Sequence, residues 1–227
     1  MILIVYPATW SAGHTKFLAF NETSYTRVLH LDSDATVLQS MDELFLLPPS
    51  PVALPRAYWL DQTPKAILSA QLILITPSEH ELNRILAQSE NSTANEYDME
   101  MVNALYRDTA MVLPFWEYDL LTGEFRAKEH SKYLGGDKEA TWDPDQALKR
   151  GKYVHFSDWP VPKPWMECSS HVWEAQMPRC YDERGVQLNE TDVGLCRDRE
   201  IWVGFYTDFK KRRLDVCGAG FYEGHGE

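Results

Sequence analysis

The sequence predicts an α/β protein with a mixed central sheet. Apolar, β-prone runs alternate with segments of helical pattern along the chain, which is the order of elements in such sheets. The most apolar run, AILSAQLILI at 66–75, predicts a central strand that is buried on both faces. Ser78 and Glu81 then form a capping-box pattern, which predicts a helix that continues to about Ser89.

The remaining elements of the first half follow in chain order. Residues 1–6 are apolar and β-prone and end at Pro7, so they predict a short strand. The pattern at 15–25 predicts a short helix, and the RVLHLDSD stretch at 27–34 predicts the next strand. A helical turn at 41–47 is predicted to end at the proline pair that follows, with a short extended segment after it.

The second half is predicted to be less regular. A helix begins near Tyr97 or Asp98, MVLPFWEYDLL at 111–121 forms a strand that leads into a loop, and KYVHFSDW at 152–159 holds a last strand. After this strand the composition shifts toward Cys, Trp, Arg and Glu. We therefore predict a core at 1–165 and a cysteine-containing extension at 166–227 that packs on it.

Composition and charge exclude several classes of protein. The chain has 44% hydrophobic and 25% charged residues, the balance of a soluble globular protein. Its formal net charge of -12 argues against a nucleic-acid partner, because phosphate binding needs clustered Lys and Arg. The one conspicuous basic run, KKRRL at 210–214, is flanked by acids and predicts a solvated helix face. No stretch approaches the roughly 20 apolar residues that span a bilayer, so no membrane segment is expected in this chain.

The cysteines and glycosylation patterns favour a secretory compartment. All four cysteines lie in the last quarter of the chain: Cys168, Cys180, Cys196 and Cys217. An even number in a loop-rich region predicts two disulfides, with the pairing left open, and the spacings lack the tight pairs of zinc sites. N-glycosylation acceptor patterns begin at Asn21, Asn91 and Asn189. We therefore expect the lumen of the Golgi or of the secretory pathway, with the cytoplasm less favoured.

The stretch LHLDSDATVL at 29–38 ends an apolar run with two carboxylates, Asp32 and Asp34. Side chains two residues apart project to the same side of an extended backbone, so both carboxylates can converge on one divalent cation. The alternative, a solvated strand end, fits the pattern equally well. A second Asp-x-Asp, formed by Asp143 and Asp145, has no strand before it and predicts turn and helix-cap chemistry.

The site is extended by His155, in the segment of the last predicted strand, and by Lys163, which follows that segment. His155 follows an apolar pair, and Asp32 follows the largely apolar run that ends at Leu31, so both are expected at strand ends on the same edge of the sheet. With two carboxylates, an imidazole gives an O,O,N ligand set suited to a manganese-type ion. Lys163 lies between two prolines, where a fixed ammonium group can hold a diphosphate. Each has a plainer alternative, a hydrogen-bonded structural histidine and a surface lysine.

Several motifs, in order, resemble a known family. They are HTKFLAFNETSYTRVLHLDSDATVLQSMDELF, DMEMVNALY and HFSDWPVPKPW. Together they are similar to family 8 of the retaining glycosyltransferases, which includes glycogenin. The stretches LLPPSPVALPRAYWL and YDLLTGEFRAKEHSKYLG resemble in particular the fungal N-acetylglucosaminyltransferase branch. The resemblance covers roughly residues 13–217, and several ordered motifs are far more specific than any single one.

The resemblance implies a GT-A fold that binds a UDP-sugar and Mn2+. Asp32, Asp34 and His155 match the metal ligands of the family, and Ser33 matches the residue near the ribose. The family's retention of configuration without an evident nucleophile implies that the acceptor attacks on the face from which the leaving group departs.

Lysines and a further acid also match family positions. Lys16 in TKF and Lys163 in PKPW match lysines that approach the sugar diphosphate, and Asp98 matches an acidic residue that faces the donor sugar and the acceptor. The resemblance therefore implies catalytic roles for Asp98 and Lys163. Lys16, Ser33 and Lys163 are implied to bind the donor. The metal and the lysines are expected to stabilise the charge that develops on the departing diphosphate, while Asp98 positions hydroxyl groups.

The sequence departs from the family pattern in two respects. Residues 69–71, Ser-Ala-Gln, stand where many relatives have Asn-Ser-Gly, and the Gly of the family's Asp-Gln-Gly stretch is absent. The first nucleotide-binding strand and helix of the family are largely missing, so we expect an N-terminally truncated chain whose membrane anchor lay further upstream.

The expected function is therefore transfer of a sugar, N-acetylglucosamine above all, from a UDP donor to a glycan or glycoprotein acceptor. A glycogenin-like self-glucosylating initiator is a second hypothesis, although no acceptor tyrosine is identified and the glycosylation patterns oppose a cytosolic protein. A catalytically inactive, glycan-binding fragment is a third, which the missing front half favours.

Overall fold

The computed structural model describes residues 10–60, 66–91, 97–137, 139–180 and 196–218. Contacts divide the chain into two compact units. The first unit is Met1–Ser33 with Ser40–Asp119, and the second is Asp34–Gln39 with Leu120–Glu227. The domain division predicted at residue 165 stays a prediction, and the strand predicted at 1–6 lies outside the described residues.

Short strands and helices alternate along the described chain. The strands are β1 (Val28–Leu31), β2 (Ala35–Val37), β3 (Val52–Pro55), β4 (Leu72–Ile75), β5 (Met111–Leu113), β6 (Leu120–Leu121) and β7 (Tyr153–His155). The α-helices are α1 (Glu79–Asn91), α2 (Asp98–Tyr106), α3 (Phe115–Tyr118), α4 (Pro144–Arg150), α5 (Ser170–Gln176) and α6 (Arg197–Cys217). Helices of the 3-10 type span Trp10–Asn21, Asp42–Leu46 and Thr122–Arg126. The predicted α/β class is confirmed.

The first unit contains a four-stranded mixed sheet in the order β1-β4-β3-β5. β4 pairs antiparallel with β1 and β3, while β5 runs parallel to β3. β4 is buried along its whole length, which confirms the central strand predicted from the AILSAQLILI run. The strand is shorter than that run because residues 70–71 form a bend immediately before it.

Helices pack against this sheet. Ser78 Oγ accepts a hydrogen bond from the Glu81 N–H at 3.5 Å, so the predicted cap is present at the start of α1, and α2 begins at Asp98 as predicted. The helix predicted at 15–25 is a 3-10 helix that begins and ends earlier, at Trp10–Asn21. Sheet and helices share one apolar core, which includes Phe17, Phe20, Leu54, Ile73, Ile85, Met101 and Tyr106.

The second unit contains a three-stranded mixed sheet in the order β2-β7-β6. β7 pairs antiparallel with β2 and parallel with β6. Asp143 caps α4, because its carboxylate accepts hydrogen bonds from the N–H groups of Asp145 at 2.9 Å and Gln146 at 3.0 Å. This confirms the cap chemistry predicted for the second Asp-x-Asp. An aromatic cluster fills this unit and includes Phe125, Trp142, Phe156, Phe205 and Tyr206.

One face of α6 is buried in the second unit. Ile201, Trp202, Phe205 and Tyr206 are its buried residues. The basic run at 210–214 lies in the later turns of the helix and is mostly exposed, which confirms the predicted solvated face. Among the helices of the described chain, none combines the length and the apolar character needed to cross a bilayer.

One of the two predicted disulfides is present. Cys180 and Cys196 are bonded, whereas Cys168 and Cys217 are free thiols. The second predicted disulfide is therefore not formed in this structure.

Asn103→Ala is expected to lower the free energy of unfolding by about 3 kcal/mol, because buried main-chain groups lose their partner. The Asn103 amide accepts from Leu68 N–H at 2.9 Å and donates to Leu68 O and Met99 O at 2.8 Å each. Urea denaturation measures the effect. Asn83→Ala, at an exposed position of α1, is the control and should change stability by less than about 0.5 kcal/mol. Equal stabilities of the two variants would contradict this account.

Candidate functional site

Lys16 forms the centre of a charged cluster in the first unit. Its Nζ donates to Asp32 Oδ1 at 2.7 Å, to Ala70 O at 2.9 Å, and to Asp98 Oδ2. The Lys16 side chain is only 7% exposed. A buried ammonium group needs paired, hydrogen-bonded partners, and these three oxygens supply them. We call Lys16, Asp32 and Asp98 the first triad.

Three elements bring the first triad together. Lys16 lies in the 3-10 helix Trp10–Asn21, whose neighbouring Phe17 is buried in the apolar core. Asp32 follows β1 directly, and its N–H donates to Gln71 O at 2.9 Å. Asp98 is the first residue of α2, where the helix dipole favours a negative charge.

Electrostatics in the first triad fix the charge of two groups. Burial alone would lower the pKa of Lys16, but the charges of Asp32 and Asp98 and hydrogen bonds to them outweigh it and raise the pKa. His30, two residues before Asp32 in β1, has its pKa lowered to about 4 by burial and by the charge of Lys16. His30 is therefore neutral at neutral pH. No motif in the sequence marks His30; its only signal is that it lies two residues before Asp32, a spacing that puts two strand residues on the same side.

A second triad lies in the second unit, around Asp34. Asp34 Oδ1 is 3.1 Å from His155 Nε2, and Asp34 Oδ2 is 2.7 Å from Lys163 Nζ. Lys163 Nζ also donates to Phe156 O. The pairing of β2 with β7 places Ala35 opposite His155, and Phe156 N–H donates to Asp34 O at 2.9 Å. The main chain therefore sets the position of Asp34 beside His155.

The charge of Asp34 is stabilised by its two partners. Burial would raise the pKa of this carboxyl, but hydrogen bonds and charges from His155 and Lys163 outweigh burial and hold the pKa well below its usual range. Asp34 therefore carries a full negative charge at neutral pH. A carboxylate beside an imidazole nitrogen is the donor combination that a manganese-type ion accepts, and Nδ1 of His155 is buried without a hydrogen-bond partner among the described residues.

Asp158 organises the segment between His155 and Lys163, and sequence analysis missed it. It is 3% exposed, and its carboxylate accepts from Tyr206 Oη at 2.8 Å, from Arg126 Nη1 at 3.2 Å, and from Thr122 Oγ1. The signal in the sequence was an acid between aromatic residues in FSDWP. Its partners lie 32 to 48 residues away in the chain, so no local pattern identifies them.

A further buried acid, Asp119, lies at the end of α3. It is fully buried, and burial raises the pKa of its carboxyl well above the usual range. The nearby charge of Asp32 raises that pKa further. Asp119 follows an apolar, aromatic stretch, and no sequence signal marks it.

The structure therefore distributes the predicted site residues over two triads. Lys16, Asp32 and Asp98 meet in the first unit, and Asp34, His155 and Lys163 meet in the second. Ser33, between Asp32 and Asp34, is exposed. Their predicted roles in binding metal, donor and acceptor stay predictions.

The prediction that Asp32 and His155 lie at one edge of the same sheet is wrong. Asp32 follows β1 of the first unit's sheet, while His155 ends β7 of the second unit's sheet, so they do not share one sheet edge. The chain leaves the first sheet after Leu31 and joins the second at Ala35. The Asp-x-Asp spans this crossing from one sheet to the other.

The sequence is similar to curated fungal proteins. It is 52% identical over 211 residues to Glucose N-acetyltransferase 1 of Gibberella zeae, covering 92% of this chain and 44% of that protein. It is 46% identical over 219 residues to Glucose N-acetyltransferase 1 of Aspergillus fumigatus, covering 92% of this chain and 55% of that protein. The chain thus spans about half the length of these relatives. No protein-family model matches the sequence.

The fold is similar to that of solved glycosyltransferases. The crystal structure of the glycosyltransferase GlyE of Streptococcus pneumoniae matches with a TM-score of 0.52 and 17% sequence identity. The match covers 90% of this chain and 46% of GlyE. It confirms the glycosyltransferase, GT-A-like fold that the motifs predict.

Lys16→Met is expected to lower the free energy of unfolding at pH 7 by about 2 kcal/mol, because two carboxylates lose the ammonium between them. Lys16 has a raised pKa, so its contribution is fully present below the ordinary value of 10.5 and is lost only as the pH rises through the raised value. Chemical denaturation at pH 7 tests this. Lys211→Met, on the exposed face of α6, should leave stability unchanged, and an equal loss in both variants would refute the pairing.

Proposed function

The chain belongs to the glycosyltransferase family of the fungal proteins named Glucose N-acetyltransferase 1, and from this premise we propose that it transfers a sugar from a UDP-sugar to a glycan acceptor with the help of Mn2+. N-acetylglucosamine is the proposed sugar. The observation that carries the proposal is the second triad, in which one half-buried carboxylate contacts an imidazole nitrogen and a lysine ammonium group. These are the groups that hold a divalent cation and a diphosphate.

Asp32, Asp34 and His155 are the proposed metal ligands. Asp34 and His155 are already 3.1 Å apart. Asp32 is separated from Asp34 by Ser33 alone, and as the other acid of the Asp-x-Asp it completes the proposed set of oxygen and nitrogen ligands. Bound there, the cation supplies positive charge to the leaving diphosphate.

The two lysines are proposed to bind the donor. Lys163 and Lys16 each have a carboxylate partner, Asp34 and Asp32 respectively. Each exchanges part of that contact for a phosphate oxygen of the UDP-sugar when the donor binds. Their positive charge then stabilises the negative charge that develops as the bond from the anomeric carbon to UDP breaks.

Asp98 is proposed to orient hydroxyl groups of the donor sugar or the acceptor. Its carboxylate is held by Lys16 at the N-terminus of α2, and an ionised carboxylate accepts hydrogen bonds from sugar hydroxyls. Attack by the acceptor on the face from which UDP departs requires no enzyme nucleophile, so none is assigned. The acceptor proton leaves to the departing phosphate oxygen in this scheme.

A secretory compartment is the proposed location. The Cys180–Cys196 disulfide is of the kind that persists in oxidising compartments. Asn21 and Thr23 of the first acceptor pattern are both exposed at the end of a 3-10 helix, where a glycan has room.

Asp34→Asn is expected to weaken Mn2+-dependent binding of UDP by at least about a hundredfold, because the variant loses a charged metal ligand. Isothermal titration calorimetry of UDP into the chain, with and without Mn2+, measures this. We expect micromolar, Mn2+-dependent binding by the unmodified chain.

Asp145→Asn is the matched control, since it alters the other Asp-x-Asp, whose exposed acid pairs with Arg197. It should bind UDP as the unmodified chain does. If the unmodified chain shows no Mn2+-dependent UDP binding, the proposal of an active enzyme is rejected in favour of the catalytically inactive fragment. Hydrolysis of UDP-N-acetylglucosamine compared with UDP-glucose then identifies the donor.

Asn21→Gln is expected to remove one N-linked glycan when the chain is secreted from a eukaryotic cell, because it deletes an exposed acceptor. Mass spectrometry before and after treatment with an N-glycosidase measures the change. Asn83→Gln, which lies outside any acceptor pattern, should change nothing. If the N-glycosidase leaves the mass of the Asn21 peptide of the unmodified chain unchanged, the prediction that Asn21 is a glycosylation acceptor is contradicted.

A further inference from the structure

The Trp159 indole is exposed to water, so burial of this side chain does not stabilise the fold. Its side chain is 89% exposed, whereas those of Trp59, Trp116, Trp142, Trp165, Trp173 and Trp202 are buried or half-buried. Burying a large apolar side chain stabilises a folded protein, so an indole left in water forgoes that stabilisation. Tryptophan is enriched at recognition interfaces, because its ring is apolar while its N–H is polar.

The turn that carries Trp159 is firmly anchored. Val161 N–H donates to Asp158 O at 2.8 Å, and both of these residues are buried, at 5% and 3% exposure. The Asp158 carboxylate is held in turn by Tyr206 at 2.8 Å and by Arg126 at 3.2 Å. The indole therefore projects from a fixed backbone, which reduces the entropy lost when a ligand binds to it.

Trp159 lies within the segment that joins the working residues of the second triad. It is four residues after His155 and four before Lys163, and both of these contact Asp34. The indole is therefore carried by the same short segment that supplies the groups proposed to hold the metal and the diphosphate.

We propose that Trp159 binds the acceptor glycan by stacking its indole against the apolar C–H face of a pyranose ring. This inference rests on the proposed function and names the acceptor's contact. A pyranose is apolar on its faces and polar at its edge, which suits one flat indole surrounded by water. A protein partner is disfavoured, because stable protein interfaces bury about 800 Å2 on each side, far more than the 150–250 Å2 of one aromatic side chain.

The test measures glycan binding by saturation-transfer NMR with three probes, namely chitotriose, mannotriose and maltotriose. We expect the unmodified chain to bind at least one of them. Trp159→Ala should weaken that binding about tenfold, and Trp159→Phe, which keeps an aromatic ring, should weaken it less. Tyr25→Ala is the control, since Tyr25 is also an exposed aromatic residue, at 63%, but lies in the first unit.

The same variants are titrated with UDP and Mn2+. Unchanged UDP affinity in Trp159→Ala, together with weakened glycan binding, supports the proposal. Lost UDP affinity would mean that the indole stacks on uracil, and this outcome overturns it. An unmodified chain that binds none of the three glycans, or a Trp159→Ala chain that binds them normally, also overturns it. A chain that binds glycan through Trp159 but never binds UDP would reject the proposed transfer reaction and leave the glycan contact standing.

Discussion

The pairing of each acid of the first Asp-x-Asp with its own lysine is the interaction on which the candidate site depends. Lys16 holds Asp32, and Lys163 holds Asp34. A charge removed from water is costly unless it is paired and hydrogen-bonded, so these partners allow acids to stay ionised at a partly buried place. The same charges are what a cation and a diphosphate require. The side chains that stabilise this part of the fold are therefore also those proposed to bind the metal and the diphosphate.

A main-chain atom helps to position the Lys16 side chain. Lys16 binds the carbonyl oxygen of Ala70, within the stretch where the sequence departs from the Asn-Ser-Gly of many relatives. A contact to a backbone oxygen does not depend on the side chain that residue carries. The departure from the family pattern can therefore change the side chains at 69–71 while it preserves this contact of the lysine.

The segment from His155 to Lys163 is built as one supported unit. Asp158 fixes its middle through partners from the Thr122–Arg126 helix and from α6. Lys163 fixes its end by donating to Phe156 O. Side chains held by such supports keep a defined geometry, and Trp159 shares that geometry although water surrounds it.

The sequence by itself determined the elements whose signals are local. The apolar run before β4, the Ser78 and Asp143 caps, and the placing of Asp32 and Asp34 just after a strand depend on neighbours a few residues apart. Ordered motifs also identified the fold. Only the tertiary structure decided that β1 and β7 lie in different sheets, that His30 is neutral beside Lys16, that Asp158 meets Tyr206, and which cysteines pair. These depend on contacts between distant parts of the chain and on burial, which spacing along a sequence does not encode.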